Sequence, residues 1–267
     1  MIYAFALFLL FLAVLVHETG HAIAMIKTGV GVRELGMGLP CGPRLAYTFR
    51  EKTEGETFTL SLYPLLIGAF VRPMHEERIT ALSYKDKSFV FGAGIIANIL
   101  FVCVCMVLLR IFWPEVNFRL FPGWVTLWMP VVTFGVVCWF ARAISAYLFP
   151  LISIAIMYWL VSTLLTFSTA QHIENSGGIV LAGQIALSFS STIPAAIYYG
   201  AVMSFALAAT NILPIYPLDG GLTTGALVKK FVPRLHDFFN RVGFGLFLVI
   251  VVYSIGGDVR RLWLIAQ

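Results

Sequence analysis

Charged side chains are scarce in this chain: Asp, Glu, Lys and Arg make up 12% of its 267 residues, about half of what soluble domains carry. So few charges cannot cover a surface that faces water, which excludes an ordinary soluble globular protein. Cysteine is scarce as well. Cys41, Cys103, Cys105 and Cys138 form no CxxC pair and three of them lie in apolar runs, so they read as small hydrophobes. There is no basic surface interleaved with aromatics, which argues against nucleic acid as a partner. Neither a basic stretch nor a small-residue cleavage site accompanies the opening MIYAFALFLLFLAVLV, and a retained span is expected there rather than a cleaved leader. Internal repeats and low-complexity segments are also missing.

What is present is apolar: 60% of residues are hydrophobic and the mean hydropathy is +0.90. Six apolar segments stand out, at about 2–25, 88–110, 124–142, 144–168, 192–213 and 242–256, against the ~20 residues that a spanning helix needs. The expected architecture is an α-helical polytopic membrane protein of about six transmembrane helices, forming one domain over 1–267. The last segment is short and is expected to tilt little or thin the bilayer. Of the 18 Lys and Arg, nine fall between Lys27 and Lys87 and four between Lys229 and Arg241. Basic loops beside spans mark the cytoplasmic side. The net charge of +5 is therefore a matter of topology in an inner (plasma) membrane.

The long loop after the first segment carries strand signals. In TFTLSL, Thr57, Thr59 and Ser61 alternate with Phe58, Leu60 and Leu62, the period of a half-buried strand. LAYTF (45–49) is a partner for it, with Glu54 and Gly55 supplying the turn. A membrane-associated β-hairpin is expected over about 36–72, with 57–62 as an edge strand. The glycines and prolines of GVRELGMGLPCGP (31–43) predict irregular backbone before it.

Against this background VLVHETGHAIA, residues 14–24, is anomalous. It matches H-E-x-x-H, which on a helix puts His17 and His21 one turn apart on one face, with Glu18 beside them. Two imidazoles and a carboxylate suit zinc, with a fourth position open to water. The competing reading pairs these groups with other spans or lines a conduction path. A third ligand is needed, and of the 13 acidic residues only Glu18 and Asp219 stand within or against an apolar segment. Asp219 lies in NILPIYPLDGG (211–221), where Pro214 and Pro217 break the helix and Gly220 and Gly221 permit a tight turn. Asp219 could instead cap the following helix.

HETGH in the first span with NILPIYPLDGG in a late one resembles the site-2 protease family of intramembrane zinc metalloproteases. GVRELGMGLPCGPRL with the strand after it, Gly94 to Asn98 as a G-x-x-x-N motif, SGGIVLAGQ (176–184) and the segment with Phe238, Asn240 and Arg241 resemble its bacterial branch. The resemblance implies Zn2+ held by His17, His21 and Asp219, with Glu18 as general base. It also implies that Asn211, Asn98, Gly36, Gly38, Phe58 and Leu60 contact the substrate. The partners implied are the lipid bilayer and transmembrane proteins or peptides, such as anti-sigma factors, signal-peptide remnants or pheromone precursors, with the active site toward the cytoplasm. The apolar stretch 111–180 leaves no room for the PDZ domain of many bacterial members. Two other classes fit parts of the pattern: a membrane metal or ion transporter, and a proteolytically inactive substrate-binding relative.

Overall fold

The computed structural model describes residues 2–50, 57–65, 68–115, 150–155, 157–158 and 192–265. They form a mostly helical protein with one small sheet. Among the described residues, four helical stretches are long and apolar enough to cross a membrane: Phe8–Lys27, Tyr84–Phe112, Ile193–Asn211 and Pro233–Leu264. The expected spans at 124–142 and 144–168 lie outside the described residues, except that 150–155 is helical. The chain is a membrane protein.

Three helices make the core. Helix α1 (Ile2–Lys27) runs unbroken through HETGH, with Thr19 donating to the Leu15 carbonyl of its own turn (2.7 Å). The short α2 (Glu76–Ala81) precedes α3 (Tyr84–Phe112), whose N-terminus is capped by Ser83 accepting from the Asp86 N–H. Helix α4 (Ile193–Asn211) is capped by Thr192. Leu9 of α1, Val102, Cys105 and Leu109 of α3, and Ala196, Tyr199 and Ala201 of α4 bury one another in a continuous cluster. Small residues let α1 and α3 approach closely, as membrane helices do. A Cβ on Gly20 would stand 2.5 Å from the Ala93 carbonyl and 2.8 Å from Ala97 Cβ.

Helix α5 (Asp219–Phe231) follows a turn and leads through a short 3-10 turn (Pro233–Leu235) into α6 (His236–Ile265). At 30 residues, α6 is longer than the apolar segment 242–256 within it, and it continues past Gly256 and Gly257 through Asp258, Arg260 and Arg261.

Four strands follow α1: β1 (Val32–Met37), β2 (Leu45–Arg50), β3 (Thr57–Leu62) and β4 (Ala69–Pro73). They lie in the order β2-β3-β1-β4. The β2–β3 pairing is antiparallel, Tyr47 opposite Leu60 and Phe49 opposite Phe58, as the alternation implies. Two expectations are corrected. Residues 32–37 are a strand and not irregular backbone, because Phe70 of β4 lies opposite Gly36 and its ring fills the space a side chain there would take. And β3 is interior, paired with β1 on one side and β2 on the other, so its backbone cannot accept a further strand. The edges of the sheet are β2 and β4.

Backbone parity decides what the β4 edge offers. Gly38 N–H donates to the Gly68 carbonyl and Tyr63 N–H to the Met37 carbonyl, so even-numbered residues of β1 point toward β4 and odd ones toward β3. Leu35 and Val71 are opposite and therefore form a non-hydrogen-bonded pair. The Val71 N–H and C=O point out of the sheet.

A buried carboxylate ties the sheet together. Glu34, 4% exposed, accepts from Ser61 of β3 (2.5 Å), from Arg44 ahead of β2 (2.6 Å) and from Arg72 of β4 (2.9 Å). The Arg72 guanidinium also stacks 4.8 Å over the Phe70 ring.

Candidate metal centre

His17 and His21 lie on the α1 face turned toward α3 and the start of α5, and both are buried. The turn at 212–218 ends the α4 helix and presents Asp219 as the first residue of α5. The N-cap position of α5 is Leu218, and Asp219 Oδ2 points at both imidazoles, 3.1 Å from His17 Nε2 and 3.3 Å from His21 Nε2. Gly220 and Gly221 serve close packing here and not a glycine-only backbone conformation: among the described residues neither has positive φ. A Cβ on Gly220 would stand 2.5 Å from the Leu213 carbonyl, and one on Gly221 would meet Tyr216 N and the Ile215 carbonyl.

The two Nε2 atoms are 3.2 Å apart. Three donors about 2.0–2.1 Å from a tetrahedral ion are separated by about 3.3–3.4 Å along each edge. The observed triangle of 3.1, 3.2 and 3.3 Å is close to that figure, and among the described residues His17, His21 and Asp219 are the one cluster able to hold a metal. Tautomers support the fit for His21. Its Nδ1 lies 2.7 Å from the Val90 carbonyl; since that oxygen can only accept, Nδ1 carries the proton and Nε2 keeps its lone pair. Gly94 makes the room: a Cβ there would sit 2.7 Å from His17 Cε1 and 2.8 Å from His17 Nε2, and nearer still to His21 Nε2.

Glu18 is half-buried beside the ligands. The outward N–H of Val71 on the β4 edge is turned toward its carboxylate.

The residues expected against substrate separate into groups. Asn98 is fully buried and bonds through its side chain to His17 Nδ1 (3.1 Å). Gly36 and Gly38 are buried, Gly36 under Phe70 and Gly38, just past β1, at φ +92° with its N–H taken by Gly68. Phe58 and Leu60 lie on the apolar face of β3. Asn211, at the end of α4, donates from Nδ2 to Leu207 O of its own helix (3.1 Å). Missed by sequence reasoning were the Val90 carbonyl and the Val71 N–H, backbone groups with no residue signature, and Glu34 of β1. The parity Val32, Glu34, Gly36, all buried, was the signal for the last.

The family model of peptidase family M50 matches residues 5–250. No curated protein matches the chain.

Proposed function

Since the chain belongs to peptidase family M50, the site-2 protease family that its motifs resemble, we propose that it is an intramembrane zinc metalloendopeptidase. Its substrates would be peptide bonds within or near transmembrane segments, in the regulated intramembrane proteolysis of membrane proteins or peptides. The observation that carries this reading is the ligand triangle, whose edges suit a tetrahedral zinc ion and which has Glu18 beside it. His17, His21 and Asp219 would hold the ion. Zinc in that place supplies a water of pKa about 7 and polarises a carbonyl.

The remaining work falls to the chain. Glu18 accepts the proton of the attacking water and returns it to the leaving amine nitrogen. Its position is set by the rigid α1 turn that carries both histidines and by the Val71 N–H. A transmembrane helix hides its carbonyls in internal hydrogen bonds, so the substrate must unwind before attack. The outer edge of β4 can receive the unwound segment by strand addition, through the outward groups of Ala69 and the carbonyl of Val71; Pro73, without an N–H, ends that edge. This edge, and not β3, borders Glu18. The basic loops 27–87 and 229–241 support a site that faces the cytoplasm, with water reaching it from the side of the sheet.

The test is a pair of substitutions in purified protein with a transmembrane substrate. Glu18→Gln is expected to keep zinc and to lose cleavage by about 10²–10⁴-fold, whereas Asp219→Ala loses the metal as well. Undiminished cleavage by Glu18→Gln would rule out the proteolytic assignment. A transporter predicts metal flux into vesicles that Glu18→Gln leaves intact.

A further inference from the structure

A ligating histidine has a second nitrogen, and what holds it decides where the first one points. Coordination through His17 Nε2 requires the ring proton on Nδ1, because a neutral imidazole has one donor and one acceptor. The group the structure places at that nitrogen is the Asn98 amide, one helical turn after Gly94 on the same face of α3. Nδ2 stands 3.1 Å away, while Oδ1 is buried and has no partner among the described residues. An amide N–H₂ facing an imidazole N–H is repulsive as well as unsatisfied. A half-turn about Cβ–Cγ puts Oδ1 in the place of Nδ2 and converts the clash into a hydrogen bond. The N–H₂ group then lacks an acceptor, the lesser of the two costs. The backbone of Asn98 is pinned from the far side, where its carbonyl accepts from Ser204 Oγ of α4 (3.1 Å).

We propose that Asn98 is a positioning residue for the metal ligand His17: its side-chain oxygen accepts the His17 Nδ1–H and keeps the Nε2 lone pair aimed at the ion. The inference rests on the reading of His17, His21 and Asp219 as a metal site. It pairs the two histidines, His21 oriented by the Val90 carbonyl and His17 by Asn98, and it gives the Gly94-to-Asn98 spacing one purpose. Gly94 clears the space for the imidazoles and Asn98, four residues later, supplies the acceptor.

The test measures zinc affinity of the purified full chain by competition with a chelator, with no substrate present. Asn98→Leu, close in shape but without polar atoms, is expected to bind zinc about 10–100-fold more weakly. Asn98→Asp, whose carboxylate only accepts, is expected to stay within about threefold of wild type or bind more tightly. Should leucine disturb the α1–α3 contact, Asn98→Ala removes the amide without added bulk and carries the same expectation. Wild-type affinity in Asn98→Leu overturns the inference, as does an Asn98→Asp variant weakened equally. A wild-type chain that binds zinc no better than His17→Ala overturns the metal-site reading itself, and this inference with it.

Discussion

Gly94 and His17 are in contact across the α1–α3 interface, and no side chain larger than hydrogen fits between them. A methyl group on Gly94 would lie 2.8 Å from the nitrogen of His17 that faces Asp219. Helix packing and metal geometry are therefore one constraint at this point. Gly94→Ala is expected to push both imidazoles away and to cost about 1–3 kcal/mol, or about 5–150-fold if the whole effect falls on metal affinity. Zinc content after dialysis, read beside the unfolding temperature, separates the two.

The outward N–H of Val71 can be deleted without touching the ladder. Proline is tolerated on edge strands where the missing N–H faced away from the sheet. Val71→Pro is expected to fold, to bind zinc as wild type does, and to cleave a transmembrane substrate at least about tenfold more slowly, a loss of roughly the size of one hydrogen bond to a charged group. An unchanged rate would remove the Glu18 contact from the mechanism.

Glu34 makes the sheet sensitive to acid. Burial pushes its carboxyl upward, but the Ser61 hydroxyl and the Arg44 and Arg72 guanidiniums outweigh it and hold the group below its ordinary value of 4.5. Because the folded value is the lower one, the stabilisation is fully present above about 4.5 and is lost as pH falls through the folded value. Thermal unfolding in detergent is expected to weaken below pH ~4.5 in wild type more steeply than in Glu34→Gln. At neutral pH the variant is expected to be less stable by about 1–3 kcal/mol. Parallel pH profiles for the two proteins would contradict this.

The β2–β3 hairpin has one apolar face, and it is uncovered. Leu45, Tyr47 and Phe49 are 75%, 66% and 45% exposed, and Leu60 and Leu62 are 39% and 43%, while Thr48 and Thr59 pair on the other face (3.2 Å). Such a patch on a membrane protein belongs in lipid. A tryptophan placed at Tyr47 is expected to be quenched by brominated acyl chains in reconstituted vesicles, and one placed at Thr48 is expected to be spared. Equal quenching at both positions would contradict a hairpin with one face in the bilayer.

Local chemistry made part of this site legible in the primary structure. The spacing of His17 and His21 by four residues brings two imidazoles together on any helix, and Asp219 stood out because so few carboxylates border apolar segments. The alternation in TFTLSL was enough to predict a strand and its partner. Where interpretation of the chain went astray, the deciding contact came from elsewhere: Phe70 lies over Gly36 and turns a glycine-rich stretch into strand β1, and β1 in turn encloses β3.

What the sequence by itself determined is the solvent and the chemistry. Too few charges leave lipid as the surroundings, and two histidines and two carboxylates within that apolar chain leave a divalent ion as the natural compensation. Only the tertiary structure decided the geometry. Closing the ligand set across some two hundred residues depends on α3 passing close enough for Gly94 to meet both imidazoles. Which groups orient the ligands and the base depends on backbone atoms, the Val90 carbonyl and the Val71 N–H. Every residue but proline carries both kinds of group, so identity cannot reveal which of them point at the site; the packing of α3 and β4 against α1 does.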